Sequence, residues 1–273
     1  MTFSILESVE RNGIKAYVVP PLDPTGSILH GFLTRVGGVS RGPYATLNLG
    51  YRTGDDPSSV RENYRQLARA YGESFRPPIL IQQVHSSEIV LVGQDTPASE
   101  ALSRTGDGLI SEEPGASIGV LTSDCLPILI ADPEGRRVAA LHAGWRGTAK
   151  RIAERAVARL AELGSPPERL RAALGPAIGG CCYEVGPEVI EAVSGPKPLR
   201  EPVARPSQRS PVRDGRMMLD LALANAEQLV ASGIPDASIF RIPKCNACDS
   251  GEFFSYRRDG ERVGRGLSFI QLS

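Results

Sequence analysis

A single mixed α/β domain spanning residues 1–273 is the fold class this chain predicts, and three observations carry it. Short apolar runs that read as buried strands alternate with amphipathic helical stretches. Tight-turn signals recur too often for a purely parallel, doubly wound sheet. No repeat, linker or composition break divides the chain, and 41% hydrophobic residues suffice for a large core.

The elements follow in order. Ile5–Glu10 and Ile14–Val19 flank Asn12-Gly13, a strong hairpin turn. His30–Thr34 reads as a strand, and Arg35 to Asp56 is a long Gly-rich stretch with little periodicity. Asp56-Pro57 has the form of an N-cap and first helical residue, with Gly72 as the stop. Ile79–Val84 and Glu88–Val92 read as strands with His85 in the turn between them. Ala116–Leu121, Pro127–Ala131 and Val138–Leu141 are short apolar runs typical of buried strands, the last two joined through Asp132-Pro133-Glu134-Gly135.

From Gly147 to about Leu163 the spacing predicts a helix. It carries Ile152, Ala156, Val157 and Leu160 on one face and ends at Gly164. Arg171–Leu174 is a further strand. Residues 195–215, rich in Pro, Arg and Ser, read as an exposed excursion. Leu219–Ser232 is a second helix, and Ser238–Ile242, Phe253–Tyr256 and Leu267–Leu272 return to strand character.

Lys plus Arg and Asp plus Glu balance at 31 each, so no global field draws the chain to nucleic acid or an anionic membrane. No apolar run approaches the length of a membrane span, and residues 1–20 lack the design of a secretory signal. Five cysteines, two of them adjacent, argue against a disulfide framework. Free thiols in a reducing cytoplasm are expected, with a small molecule as partner; oligomeric state is not legible.

Only three histidines occur. His85 lies in Gln-Gln-Val-His-Ser-Ser and His142 in Ala-Leu-His-Ala-Gly-Trp-Arg-Gly, with Cys125 between them in Thr-Ser-Asp-Cys-Leu-Pro. All three sit where a strand gives way to a loop, the usual place for ligands on open α/β sheets. Two imidazoles and a thiolate suit zinc with one open position. Blue copper uses a similar set plus an axial methionine, but beyond Met1 the only methionines are the distant pair Met217-Met218. A multicopper oxidase needs more imidazoles than this chain has. A cysteine–histidine nucleophilic dyad stays open, because ligation and nucleophilic activation both demand an acidic thiol. Cys181-Cys182 and Cys245-x-x-Cys248 invite a four-thiolate zinc reading. Adjacent side chains diverge on an extended segment, however, so packing is the expected role there.

At these motifs the chain resembles the YfiH-type family, also called the laccase-domain or polyphenol oxidase family. The matching stretches are Phe32–Ser40, Leu47-Asn-Leu-Gly50, Gln82-Gln-Val-His85, Gly106-Asp-Gly108, Thr122–Pro127, Leu141–Gly147, Gly175–Val185 and Phe253-Phe-Ser-Tyr-Arg257, in the expected order. Asn246 departs from the threonine usual after the cysteine matching Cys245. The resemblance implies a four-layer α/β/β/α sandwich with mixed sheets and one zinc held by His85, Cys125 and His142. It also implies phosphorolysis of adenosine, inosine or methylthioadenosine to the base and ribose 1-phosphate, with some adenosine deamination. Two alternatives come with it. One is an amide hydrolase that edits a peptidoglycan precursor, UDP-muramoyl-serine; the other is a copper-dependent polyphenol oxidase activity.

On that reading Asp124 is a candidate proton shuttle or a partner to a ligating histidine. Cys125 is a ligand, with nucleophile as its rival. Arg146, ahead of a helix, and Arg35, in the Gly-rich stretch, are candidate phosphate forks. Asn48 suits a ribose hydroxyl or a base edge. Tyr183 or Trp145 suits stacking on a purine. Glu184 is a candidate to orient a ligand, and Arg257 and Arg265 to close the anion side.

Overall fold

The computed structural model describes residues 6–93, 95–195, 200, 202–206 and 215–273. Ile5, and most of the excursion expected at 195–215, lie outside the described residues. In chain order the first half comprises β1 (Glu7–Arg11), β2 (Ile14–Val18), β3 (Ile28–Leu33), α1 (Pro57–Tyr71), β4 (Ile89–Leu91), α2 (Ala98–Ala101), β5 (Gly108–Ser111), β6 (Ser117–Thr122), β7 (Leu126–Asp132) and β8 (Arg137–Ala143). The second half comprises α3 (Trp145–Ala149), α4 (Ile152–Glu162), β9 (Arg171–Leu174), β10 (Glu184–Val185), α5 (Pro187–Ser194), β11 (Ala204–Pro206), β12 (Met217–Leu219), α6 (Leu221–Ala231), β13 (Ile239–Arg241), α7 (Tyr256–Asp259) and β14 (Gly266–Leu272).

Two large sheets stack face to face. One runs β1-β2-β3-β14-β6 and is antiparallel throughout. The other runs β13-β9-β7-β8-β5-β4 and is mixed, with β4 parallel to β5 and β13 parallel to β9. A small third sheet runs β10-β12-β11, and its Val185 and Leu219 join the core cluster of β7 and β8.

The period-two alternation of strands explains the layering. From β7, Ile128 and Ile130 face a cluster with Ile152, Ala156 and Leu160 of α4 and Leu229 of α6. Leu129 and Ala131 face the opposite way, toward Val120, Phe32 and Ile270 of the first sheet. The far face of that first sheet offers Leu33, Leu267 and Phe269 to Leu67 and Tyr71 of α1. Helix, sheet, sheet and helix therefore stack in four layers, and strands buried on both faces read as unbroken apolar runs.

Local chemistry sets the boundaries. The Asp56 side chain accepts from the Ser58 N–H to start α1, and Gly72 ends it at φ 79°. The expected hairpin of β7 and β8 forms, with the Gly135 N–H bonded to Asp132 at 2.8 Å.

Several boundaries differ from expectation. Residues 79–84 make only isolated bridges, at Ile79 and Gln82. The Gln83 carboxamide instead takes both backbone groups of Leu121, at 2.8 and 2.9 Å, in place of a strand ladder. The helix expected from Gly147 starts earlier, at Trp145, and breaks at Arg151 (φ 61°). Gln228 of α6 occupies the Thr148 carbonyl at 3.1 Å, the group a continuous helix would offer to Ile152. Asp220 caps α6 through the Leu223 N–H, leaving Leu219 to pair in β12. Phe253–Tyr256 is not a strand; the Ser255 side chain caps α7, which Gly260 ends.

Candidate metal centre

The link from β6 to β7 passes from one large sheet to the other, and Cys125 rides on it one residue before β7. His142 is the penultimate residue of β8, paired in register with Pro127 of β7, which brings it beside that link. His85 comes from the irregular segment before β4 and adopts a left-handed backbone, φ 57°. One donor atom from each of the three lies within 4.8 Å of the others. The imidazoles meet edge-on at 4.9 Å between ring centres, and Cys125 Sγ is 3.9 Å from His85 Nε2.

Asp107 builds this geometry, a role the sequence reading did not assign. It is wholly buried immediately before β5. Its carboxylate accepts from the backbone N–H groups of Val84, His85 and Ser86 at 3.2, 3.0 and 2.5 Å, and from the Ser86 hydroxyl at 2.8 Å. It also meets His142 Nδ1 at 2.7 Å, while its carbonyl takes the His142 N–H. One side chain thus bends the His85 loop into its left-handed turn and fixes which His142 nitrogen faces Cys125, leaving Nε2 for a metal. The only available signal was an acidic residue bracketed by Gly106 and Gly108.

Electrostatics suit a soft divalent ion. Burial works against a Cys125 thiolate, yet His142 and His85 hold the thiol down at about 6. Burial likewise disfavours a charged His142, but Cys125 and Asp107 hold it up at about 9. Space matters too. A Cβ on Gly144 would lie 2.9 Å from Cys125 Sγ and 3.2 Å from His85 Cδ2, so no side chain fits between the two donors. The donor set, its orientation and its acidic thiol fit a metal ion with three protein ligands.

Around this cluster the structure gathers some of the expected residues and sets others back. Asp124 precedes Cys125 in a left-handed backbone, φ 115°, and accepts from the Arg257 N–H at 2.7 Å. Burial pushes its carboxyl up to about 6 against the opposing pull of Arg257 and Ser255. The Arg257 guanidinium lies 5.2 Å over the Tyr183 ring and donates to the Glu184 carbonyl at 2.9 Å. Burial, then the neighbouring Cys125 thiolate, pushes the Tyr183 hydroxyl up to about 12. Arg265 is half-buried, with burial lowering its pKa against Cys125 and Asp124. Arg146 is exposed and stacks 4.4 Å from Trp145. It lies on α3, which has only five residues.

Arg35 and Asn48 are engaged by the surrounding backbone and side chains. Arg35 donates to the carbonyls of Ala45 and Ser250 and lies 4.5 Å over Phe254. It lines a small cleft with Phe32, Thr122 and Asn246, and none of the three clustered donors is among the residues that line it. Asn48 is fully buried. Its amide donates to Thr53 and Asp55, and its carbonyl oxygen accepts from the N–H groups of Gly50 and Arg265. Asn48 therefore holds the Arg265 backbone.

Residues 29–273 match the sequence profile of a family described as multi-copper polyphenol oxidoreductase laccase. The chain is 40% identical over 249 residues to a purine nucleoside phosphorylase of Deinococcus radiodurans, covering 91% of each. It is 36% identical to adenosine deaminase RL5 of an unknown prokaryotic organism, over 84% of this chain and 88% of that one. Among solved structures, the Bacillus licheniformis protein YfiH superposes with a TM-score of 0.88 at 30% identity, covering 99% of this chain and all of that one.

Proposed function

Since this chain belongs to the multi-copper polyphenol oxidoreductase laccase family, of the YfiH type, we propose that it is a zinc-dependent purine nucleoside phosphorylase with a side activity as adenosine deaminase. The substrates in this reading are adenosine, inosine and methylthioadenosine, cleaved by phosphate to the base and a ribose 1-phosphate. The observation that carries it is the convergence of His85, Cys125 and His142 next to Tyr183, Arg257 and Arg265. The relatives named for phosphorolysis and deamination support the choice of chemistry. Of the three histidines only His30 lies outside this centre, and its Nε2 accepts from the Val19 N–H, so a multicopper cluster lacks imidazoles and the oxidase name is not carried over.

His85, Cys125 and His142 would hold the zinc, which supplies a Lewis acid able to polarise an oxygen of the substrate or activate water. The remaining work falls to the chain's own side chains. Arg146, Arg257 and Arg265 supply positive charge for phosphate, and planar guanidinium groups match its oxygens in pairs. Tyr183, with Arg257 on one face, offers a ring for stacking against a purine. Asp124, with a carboxyl near 6, can hold or release a proton at neutral pH where the departing base needs one. Asp107 keeps His142 oriented and takes no part in substrate contact, being wholly buried.

Chromatography of adenosine incubations with and without phosphate tests this reading. Adenine and ribose 1-phosphate should form only with phosphate present, inosine should accompany them, and His142→Ala should abolish both while the protein stays folded. Loss of one charged hydrogen-bonding partner in Arg146→Ala should raise the KM for phosphate about 10-fold or more. Base release that ignores phosphate, or turnover confined to a UDP-muramoyl-serine substrate, would overturn it.

A further inference from the structure

Four cysteines outside the catalytic cluster come together from two distant loops. Among the described residues, Cys181, Cys182, Cys245 and Cys248 bring their Sγ atoms within 4.8 Å of one another. Adjacent cysteines diverge on an extended segment, but 179–183 is not extended. The Gly179 carbonyl accepts the N–H groups of both Cys182 and Tyr183, at 2.9 and 3.0 Å, closing a tight turn. That turn swings Cys181 and Cys182 to one side. The second loop is wound just as tightly, with the Cys245 carbonyl accepting from Cys248 and Asp249 at 3.1 and 2.9 Å. A backbone bridge between Ala177 and Cys245 pins one loop to the other.

We propose that these four thiols form a second, structural metal site, a closed tetrathiolate centre for zinc or a similarly soft divalent ion. The argument is geometric. Cys248 Sγ lies 3.6 Å from Cys181 Sγ and 3.4 Å from Cys182 Sγ. A tetrahedral ion with metal–sulfur bonds of about 2.3 Å sets its sulfurs about 3.8 Å apart, whereas a disulfide needs about 2.05 Å. The Gly179 N–H donates to Cys245 Sγ at 3.2 Å, the kind of donor that spreads thiolate charge. The Arg205 guanidinium sits against the Gly180 carbonyl at 3.5 Å, a cation beside a centre that carries net negative charge when loaded. Four protein ligands leave no open position, so the ion does no chemistry; each thiol yields its proton to solvent as it binds.

Its role follows from what the two loops carry. Tyr183 follows Cys182 directly. On the other loop, the carbonyls of Asn246 and Ala247 take the Arg258 guanidinium at 2.6 and 3.4 Å, next to Arg257. A metal here staples the Tyr183 loop to the segment that bears Arg257, and so fixes their stacking.

The test removes the first site to isolate the second. A Cys125→Ala/His142→Ala protein, purified without chelator, should retain about one equivalent of zinc per chain against about two in the unsubstituted protein. After chelation under reducing conditions, cobalt(II) added to that variant should give the visible bands and near-ultraviolet charge transfer of a tetrathiolate. Cys245→Ser/Cys248→Ser, placed in the unsubstituted chain, should lose one equivalent and keep the other. If that last variant does not fold, the cobalt spectrum of the first still decides. Retention of no metal by the folded Cys125→Ala/His142→Ala protein would overturn the proposal. So would a cobalt spectrum without thiolate charge transfer, or an intact mass showing the four thiols oxidised in pairs.

Discussion

The carboxylate of Asp107 and the imidazole of His142 meet at 2.7 Å with both side chains buried, 0% and 5% exposed. A carboxylate so placed fixes the ring's tautomer and raises its basicity as a ligand. Asp107→Asn keeps the shape but removes the charge. Zinc affinity, measured by competition with a chromogenic chelator, should fall about 10- to 100-fold with the far-ultraviolet circular dichroism unchanged. An unaltered affinity would show that Asp107 only packs the His85 loop.

Gly144→Ala tests the spacing of the donors. The Gly144 backbone, at φ −69° and ψ 173°, is one that alanine adopts freely, so the added methyl acts only through its contacts with Cys125 and His85. Displacing ligands by a fraction of an ångström should lower kcat by about 100-fold and release metal on dialysis, with little change in melting temperature. Full metal retention at normal kcat would mean that the two donors yield without cost.

Asn48→Ala separates a scaffold role from a substrate contact. The substitution strands the buried N–H groups of Gly50 and Arg265, each costing about 1–3 kcal/mol when unpaired. The urea midpoint should drop at constant m-value, and the KM for nucleoside should hold. A raised nucleoside KM at unchanged stability would reverse the assignment.

Glu252 gives the fold an acid limit. Lys15 and Tyr17 of β2 and Lys244 bond to its carboxylate, tying the N-terminal hairpin to the loop that bears Cys245 and Cys248. Burial works to raise this carboxyl, but those three partners outweigh it and hold it at about 2, against 4.5 for an ordinary glutamate. A depressed carboxyl stabilises the fold fully above the unfolded value and loses that contribution as pH falls through the folded one. Stability should therefore decline between about pH 4.5 and 2, and Glu252→Gln should flatten the decline in that window while lowering stability at neutral pH. Urea titrations across the range check the sign.

The candidate cluster was legible because histidine is scarce: three in the whole chain leave few ways to build a site, and His85, Cys125 and His142 all follow turn or strand-end signals. Asp107 was not, since a carboxylate between glycines reads as a turn, and only the register of β5 against β8 buries it next to His142. The four-layer stack could be expected from the family motifs, and the unbroken apolar runs of β7 and β8 agree with it. The small sheet escaped because β10, β11 and β12 have two or three residues each, too few for any period to show. The grouping of Cys181-Cys182 with Cys245 and Cys248 was raised by the sequence but set aside for packing, for a related reason. It depends on the turn closed by the Gly179 carbonyl, a backbone bond with no side-chain signature.

The order of strands in the first sheet also dictates when the centre can mature. β6, which leads into Asp124 and Cys125, pairs with just one strand of its sheet among the described residues, β14. During synthesis β6 can therefore bond at first only to residues 79–83, Ile79 at Ser117 and Gly119 and Gln83 at Leu121, and its other edge must wait for residues 266–272, which are made far later. Until β14 inserts between β3 and β6, the strand that leads into the thiol is held along one edge only, although both histidine segments already exist. Closing so long a loop is slow and is rewarded only at the end. Capture of a metal by these three donors is thus expected to come late, after the sheet is complete, and a nascent chain halted before β14 is expected to bind it more weakly than the full chain.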